Sequence, residues 1–203
     1  MTEKAVILLD GGFVKKKLRH SLKAFPSPQD VVDLCDRIMQ HQAMAAYELF
    51  RVYYYDAPPL EGSAKNPIDG TVTNFSATDA AKKNRSLIDS LELTPNFAVR
   101  RGSLVRVGWK LGSRALRSLS SPRQLTATDL VPDISQKGVD IKIGLDIASI
   151  ALKRVANVLV LVTGDSDFVP PMKFARTEGI KVYLEAMGHG VRRDLRAHAD
   201  LVL

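Results

Sequence analysis

The chain has 203 residues, 45% of them hydrophobic, and carries a net charge of +7 with an isoelectric point near 9.6. This excludes a disordered composition and suffices for one α/β domain with a core, which we expect to span residues 1–203. The charge favours an anionic partner; nucleic acid is the commonest such partner, and a membrane surface is the alternative. The single cysteine excludes a disulfide scaffold, and no apolar run is long enough to span a membrane, so we expect a cytoplasmic protein.

The hydrophobic pattern predicts strands that alternate with helices. Strands are predicted over Ala5–Leu9, Leu49–Tyr55, Asn157–Thr163, Ile180–Glu185 and Ala199–Leu203, with one or two more in Phe97–Val107. Helices are predicted over Phe13–Ala24, Gln29–Met44, Asp79–Leu93, Gly138–Arg154, Phe168–Glu178 and Val191–Ala197. This alternation favours an α/β fold in which helices cover both faces of a mainly parallel sheet.

Two segments show little hydrophobic periodicity, and we interpret both as loops. The first covers residues 60–76. The second covers about residues 108–137 and is rich in Gly, Ser, Pro and Arg. Because it is long for a connection in a compact domain, we interpret it as a basic loop insertion that is either functional or partly mobile.

Aspartates follow two of the most apolar strands. Asp10 comes directly after Ala5–Leu9, and Asp165 and Asp167 follow Asn157–Thr163. Sites in open α/β sheets form outside the carboxyl ends of the strands, so these carboxylates are expected to converge there. Converging carboxylates repel each other, and a hard cation such as Mg²⁺ or Mn²⁺ offsets that repulsion. The alternative is that each aspartate only caps the helix after it.

Two further aspartates lie on the predicted helix Gly138–Arg154. Asp140 stands in its first turn, where it either joins the acidic site or only complements the helix dipole. Asp146 points about 120° away from Asp140 around the helix and aligns with Lys142 and Lys153. A solvated ion-pair face is therefore at least as good an explanation of Asp146 as a site role.

Three runs of sequence together resemble the NYN domain, in particular its LabA-like branch, within the PIN-like nuclease group. These runs are VILLDGGF, QKGVDIKIGLDIASIAL and LVLVTGDSDFVPPMKFARTEGIKVYL, and the similarity extends from Ala5 to Asp200. The KGVD and GDSDF motifs, in that order and spacing, are the specific part. Many members carry a polar residue three positions after the first aspartate, where this chain has Phe13.

The resemblance implies a Rossmann-like three-layer α/β/α fold and a metal-dependent ribonuclease. It implies that Asp10, Asp140, Asp165 and Asp167 are catalytic, and that Asp10, Asp140 and Asp165 bind Mg²⁺ or Mn²⁺. The implied partner is RNA, in single-stranded form, and a homodimer is compatible with the sequence. The alternative from another functional class is a catalytically silent module that binds RNA or a protein.

Other α/β classes that place an acid after the first strand fit less well. Gly11-Gly12 is not the GxGxxG fingerprint of a dinucleotide-binding domain. A haloacid-dehalogenase-type phosphatase has its second aspartate where Gly12 stands, and a Toprim-type domain has glutamate at the position of Asp10. These classes are therefore set aside.

The segment Arg100–Arg123 holds seven positive charges and no acidic residue, and it leads toward Asp140. We expect it to bind the RNA backbone, because a cluster of aspartates repels phosphate unless nearby cations restore the attraction. Its Trp109 either stacks on a base or anchors the segment to the core.

His189 follows the strand Ile180–Glu185 and is either a surface residue or a substrate contact. The predicted RNA-binding residues are Arg100, Arg101, Arg106, Lys110, Arg114 and Lys137.

Overall fold

The computed structural model describes residues 2–118 and 123–203. The strands, in chain order, are β1 (Glu3–Asp10), β2 (Tyr47–Asp56), β3 (Ser63–Lys65), β4 (Val72–Asn74), β5 (Phe97–Arg101), β6 (Ser103–Leu111), β7 (Leu130–Lys137), β8 (Val158–Val162), β9 (Lys181–Glu185) and β10 (Leu201–Val202). The helices are α1 (Gly11–Leu22), α2 (Pro28–Gln40), α3 (Asp79–Glu92), α4 (Ser113–Ser118), α5 (Val139–Leu152), α6 (Val169–Thr177) and α7 (Arg193–Ala197). Among the described helices, none has the length and apolar character needed to cross a bilayer.

Six strands form one parallel sheet in the order β10-β9-β8-β1-β2-β5. The two central strands, β1 and β8, are the two most continuous apolar runs, and their apolar residues are fully buried. Strands that are covered by helices on both faces need this composition, because neither side of the strand meets water.

Successive residues of β1 point into two separate cores. Ala5, Ile7 and Leu9 pack with side chains of α1, α2 and α3, whereas Val6 and Leu8 pack with side chains of α5, α6 and α7. The sheet therefore has a helical layer on each face. The predicted α/β fold with a mainly parallel sheet and three layers is confirmed.

The strand order reverses at the centre of the sheet. From β1 the chain passes through α1 and α2 to β2 on one side, and after β5 it returns to β8 on the other side of β1. Such a reversal leaves a crevice at the carboxyl ends of the two central strands. The loops after β1 and β8 meet at this crevice.

The segment predicted as a basic loop, about 108–137, contains regular structure. Strands β6 and β7 pair antiparallel from Ser103↔Lys137 to Leu111↔Leu130, and α4 lies in their connection. We call the described part of this hairpin, residues 103–118 and 123–137, the arm; residues 119–122 lie outside the described residues. The loop prediction was wrong because a register shift between Arg106 and Gly108 and the proline at 132 break the alternation of apolar residues on the two strands.

The predicted loop over residues 60–76 is also partly ordered by pairing. Strands β3 and β4 form a two-stranded antiparallel ribbon, paired from Ser63↔Asn74 to Lys65↔Val72. Three-residue strands are too short for sequence periodicity to reveal, so a loop was the expected outcome. The ribbon pairs with no strand of the main sheet.

Candidate active site

Asp10 ends β1 and occupies the crevice at the carboxyl edge of the sheet. One carboxylate oxygen, Oδ1, accepts a hydrogen bond from the backbone N–H of Phe13 at 3.2 Å, and Oδ2 accepts one from the hydroxyl of Thr163 at 3.2 Å. Burial raises the pKa of the Asp10 carboxyl above its ordinary value, and the negative charge of Asp140 raises it further against the effect of those two bonds. Asp10 therefore caps α1 and at the same time lies near a second carboxylate.

Asp165 and Asp167 stand in the turn after β8. The Oδ1 atom of Asp165 accepts a hydrogen bond from the backbone N–H of Asp167 at 3.0 Å, and both side chains are exposed. Asp165 also donates its own backbone N–H to the Thr163 hydroxyl at 3.2 Å. Because that hydroxyl in turn donates to Asp10, Thr163 connects the ends of β1 and β8.

Sequence reasoning missed Thr163. It is fully buried and is the one polar residue closing an otherwise apolar run, Val158–Thr163. A polar side chain that ends a buried strand needs a hydrogen-bond partner, and this requirement is the signal that could have found it.

Asp140 reaches the same crevice from the first turn of α5. Partial burial raises the pKa of the Asp140 carboxyl, and the negative charges of Asp165 and Asp167 raise it further. The negative charge of Asp140 in turn contributes to the raised pKa of Asp10. We call these four residues, which interact electrostatically, the acid cluster: Asp10, Asp140, Asp165 and Asp167.

The acid cluster is not a ready-made metal cage. Within residues 2–118 and 123–203, no three acidic, histidine or cysteine side chains come together closely enough to hold an ion. Its donor chemistry nevertheless fits a hard cation, because it offers only carboxylate oxygens and these repel one another. Direct coordination of one ion by three of these carboxylates would therefore require the side chains to move together.

Another aspartate at the end of a strand, Asp56 in β2, was also missed. Its side chain is only 2% exposed, and the Nζ atom of Lys15 lies 2.5 Å from its carboxylate. Lys15 also donates to Asn84 at 2.8 Å. Burial raises the pKa of the Tyr54 hydroxyl, and the negative charges of Asp56 and Asp10 raise it further. Asp56 thus borders the acid cluster, but its charge is balanced by Lys15.

Asp146 lies in an ion pair, but not with the lysines of its own helix. Its carboxylate accepts hydrogen bonds from the Tyr55 hydroxyl and from Nε of Arg100, each at 2.9 Å. Lys142 instead donates to the backbone carbonyl of Arg101. The expected solvated face is therefore corrected to a partly buried contact between α5 and the strands β2 and β5.

The predicted RNA-binding residues fall into two groups. Arg100 pairs with Asp146, Arg101 with Asp89 and Glu92, and Lys110 with Asp133. Arg106, Arg114 and Lys137 are exposed on the arm, and none of the three has an ion-pair partner among the described residues. Trp109 is half-buried on β6, opposite Pro132 on β7.

A model of the NYN domain matches residues 29–203, which is most of the chain. The chain belongs to the NYN domain family. The family is predicted to contain nucleases, and the matched residues of this NYN domain include Asp140, Asp165 and Asp167. Asp10 precedes the matched residues, so its place in the site depends on the geometry described above. The family prediction is confirmed, while the LabA-like branch stays a prediction.

Two solved structures are similar to this NYN domain. A protein of unknown function from Vibrio parahaemolyticus, VPA0982, is 16% identical over 100% of this chain and 92% of its own, with a TM-score of 0.54. This likeness supports the fold alone. The nicotinamidase SaPncA from Staphylococcus aureus is 13% identical over 98% of this chain and 90% of its own, with a TM-score of 0.35. This score is too low to indicate a shared fold. The search of curated proteins gave no match.

Proposed function

We propose that this NYN domain is a metal-dependent ribonuclease that hydrolyses phosphodiester bonds at the acid cluster. The observation that carries the proposal is that four carboxylates from β1, α5 and the turn after β8 act on one another at the strand-order reversal. Aspartates that only cap helices need not converge, whereas here the charge of Asp140 raises the pKa of Asp10, and the charges of Asp165 and Asp167 raise the pKa of Asp140. Repulsion among clustered carboxylates lowers the free energy of unfolding, and a bound cation offsets this loss.

The four carboxylates divide into metal ligands and a residue that orients water in the proposed reaction. Asp10, Asp140 and Asp165 would hold Mg²⁺ or Mn²⁺, and the bound ion supplies positive charge that lowers the pKa of water and stabilises the charge developing on the phosphate. Thr163 fixes the orientation of the Asp10 carboxylate through its hydroxyl. Asp167, exposed at the mouth of the crevice, orients the attacking water.

The experiment that tests the function is cleavage of labelled RNA by the purified chain. Single-stranded RNA, double-stranded RNA and single-stranded DNA are incubated with Mg²⁺, with Mn²⁺ or with chelator. We expect cleavage of single-stranded RNA that chelator abolishes. RNA binding without cleavage under every metal condition would contradict the nuclease and support the silent binding module instead.

We predict that Asp165 and Asp146 differ in metal binding. Asp165→Ala is expected to weaken Mn²⁺ binding by at least about tenfold, since even groups that only orient metal ligands contribute about 10–100-fold. Asp146→Ala should change it little, because the Asp146 carboxylate is already engaged by Tyr55 and Arg100. Calorimetric titration with Mn²⁺ measures both. Equal losses in the two variants would place Asp146 among the metal ligands.

We also propose that the arm binds the RNA backbone through three of its exposed cations, Arg106, Arg114 and Lys137, none of which forms an ion pair with a described residue. Changing all three to Gln is expected to lower RNA affinity and to reduce the slope of log affinity against log salt by about 2, at about 0.7 for each lost contact with a single strand. Affinity for Mn²⁺ serves as the control and should not change. An unaltered salt slope would remove the arm from the binding surface.

A further inference from the structure

A basic and aromatic cleft lies beside the acid cluster, between α1 and the turn after β9. Its volume is about 550 Å³. Phe13 and His189 line one end, and Lys16, Arg19, His20 and Lys23 line the side formed by α1 and its C-terminal cap. No acidic residue of the described chain lines it. The cleft therefore combines an aromatic end with a strongly positive wall.

The aromatic end is held against the acid cluster. The rings of Phe13 and His189 meet edge to face, with centroids 5.9 Å apart. Both rings lie on Gly164, where an added Cβ would stand 2.7 Å from Cδ2 of His189 and 2.8 Å from Cε2 of Phe13. Gly164 directly precedes Asp165, and the backbone of Phe13 donates to Asp10. A ligand that touched these rings would thus lie next to two carboxylates of the cluster.

The positive wall is arranged along one face of α1. Lys16, Arg19 and His20 follow the spacing i, i+3, i+4, so they project from one side of α1. Lys23, at the C-terminal cap of the helix, lines the same cleft. Lys16, Arg19 and Lys23 are exposed and form no ion pair with any described residue. Their positive charges are therefore available to attract an anionic ligand in the cleft.

We propose that this cleft is a nucleotide-binding subsite for the RNA strand. A nucleotide combines the two properties that the cleft matches, a flat π surface and a phosphate charge. The base contacts Phe13 and His189, and the phosphates that lead away from the acid cluster contact Lys16, Arg19 and Lys23. The proposal rests on the proposed ribonuclease function, and it gives the strand a path from the cluster along α1, on the other side from the arm.

The first test removes the positive wall. The triple variant Lys16→Gln, Arg19→Gln, Lys23→Gln is compared with Lys153→Gln, Arg154→Gln, Lys173→Gln, which removes the same charges from an exposed surface away from the cleft. The two triple variants also match in backbone conformation at one position, because Lys23 and Arg154 both have positive φ, at 56° and 49°. Anisotropy titrations use the full chain and labelled single-stranded RNA in chelator. At low salt, the cleft variant should bind RNA about tenfold more weakly than the wild type, and its slope of log affinity against log salt should fall by about 2. Both changes should be much smaller in the control variant.

The second test examines the aromatic end. Phe13→Leu keeps an apolar side chain against Gly164 but removes the π surface, and thermal unfolding verifies that it folds. We expect about fivefold or greater loss of affinity for the oligonucleotide and no loss for inorganic polyphosphate, which has no base. Equal effects on both probes would make the cleft a general anion site and overturn the nucleotide subsite.

Binding measured in chelator separates the two proposals. Should the cleft variant bind RNA as tightly as the control variant while the wild type cleaves RNA, the subsite is wrong and the ribonuclease stands. Should the wild type never cleave RNA while the cleft variant still loses affinity relative to the control, the ribonuclease is wrong and the cleft is the RNA surface of a silent module.

Discussion

Replacing Asp10 by asparagine is expected to reduce RNA cleavage by at least about 100-fold while leaving the protein folded. The asparagine oxygen can still accept the backbone N–H of Phe13, so the cap of α1 is retained. What is lost is one negative charge of the acid cluster, and with it a proposed metal ligand. Cleavage of single-stranded RNA with Mg²⁺ or Mn²⁺ measures the effect.

Asp36→Asn is the matched control, because it removes an exposed carboxylate of α2 and leaves the acid cluster unchanged. It should cleave RNA as the wild type does. Wild-type cleavage by the Asp10→Asn variant would mean that Asp10 binds no metal.

The same substitution should flatten the pH dependence of stability in chelator. Burial and the charge of Asp140 raise the folded-state pKa of Asp10 above its ordinary value of 3.8. The protonated carboxyl is therefore favoured by folding, and its contribution to stability is lost as the pH rises through the raised pKa. Urea unfolding between about pH 4 and 7 should show a smaller decline for Asp10→Asn, with the remainder due to Asp140. An equally steep decline in both proteins would contradict a raised pKa at Asp10.

The parallel sheet, and the place of the candidate site at its carboxyl edge, could be predicted because both depend on local sequence signals. The runs Ala5–Leu9 and Asn157–Thr163 are apolar on both faces, and this pattern has few explanations other than buried parallel strands. Once these strands are placed at the centre of the sheet, the aspartates that follow them must lie at its carboxyl edge.

The features that sequence analysis missed depend on partners that are distant in the chain. The arm is held by pairing between Ser103 and Lys137 at its base, and each strand alone is irregular. The charge balance of Asp56 depends on Lys15, and that of Arg100 on Asp146. No local sequence pattern predicts which charged residues form ion pairs with each other. A count of seven cations in Arg100–Arg123 therefore overstated the charge that this segment offers to RNA.

Replacing Lys15 by methionine is expected to lower the free energy of unfolding by about 3–5 kcal/mol, the cost of leaving a buried charge without its partner. Asp56 is 2% exposed, and the Lys15 ammonium at 2.5 Å is its only ion-pair partner among the described residues. Methionine fills a similar volume and keeps the helix propensity of α1, so packing and helix formation contribute little to the loss. Urea unfolding of the variant and the wild type gives the difference.

Two matched variants decide whether the loss comes from the unpaired charge. Lys16→Met changes the next residue, which is exposed, and should alter stability by no more than about 0.5 kcal/mol. Lys15→Met combined with Asp56→Asn removes both charges and should be more stable than Lys15→Met alone, because no buried carboxylate is left unpaired. If the double variant is no more stable than the single one, Lys15 stabilises α1 by packing. If the double variant is the more stable one, the ion pair holds the second turn of α1 against the end of β2, and this contact helps to keep Asp10 at the crevice where β1 meets β8.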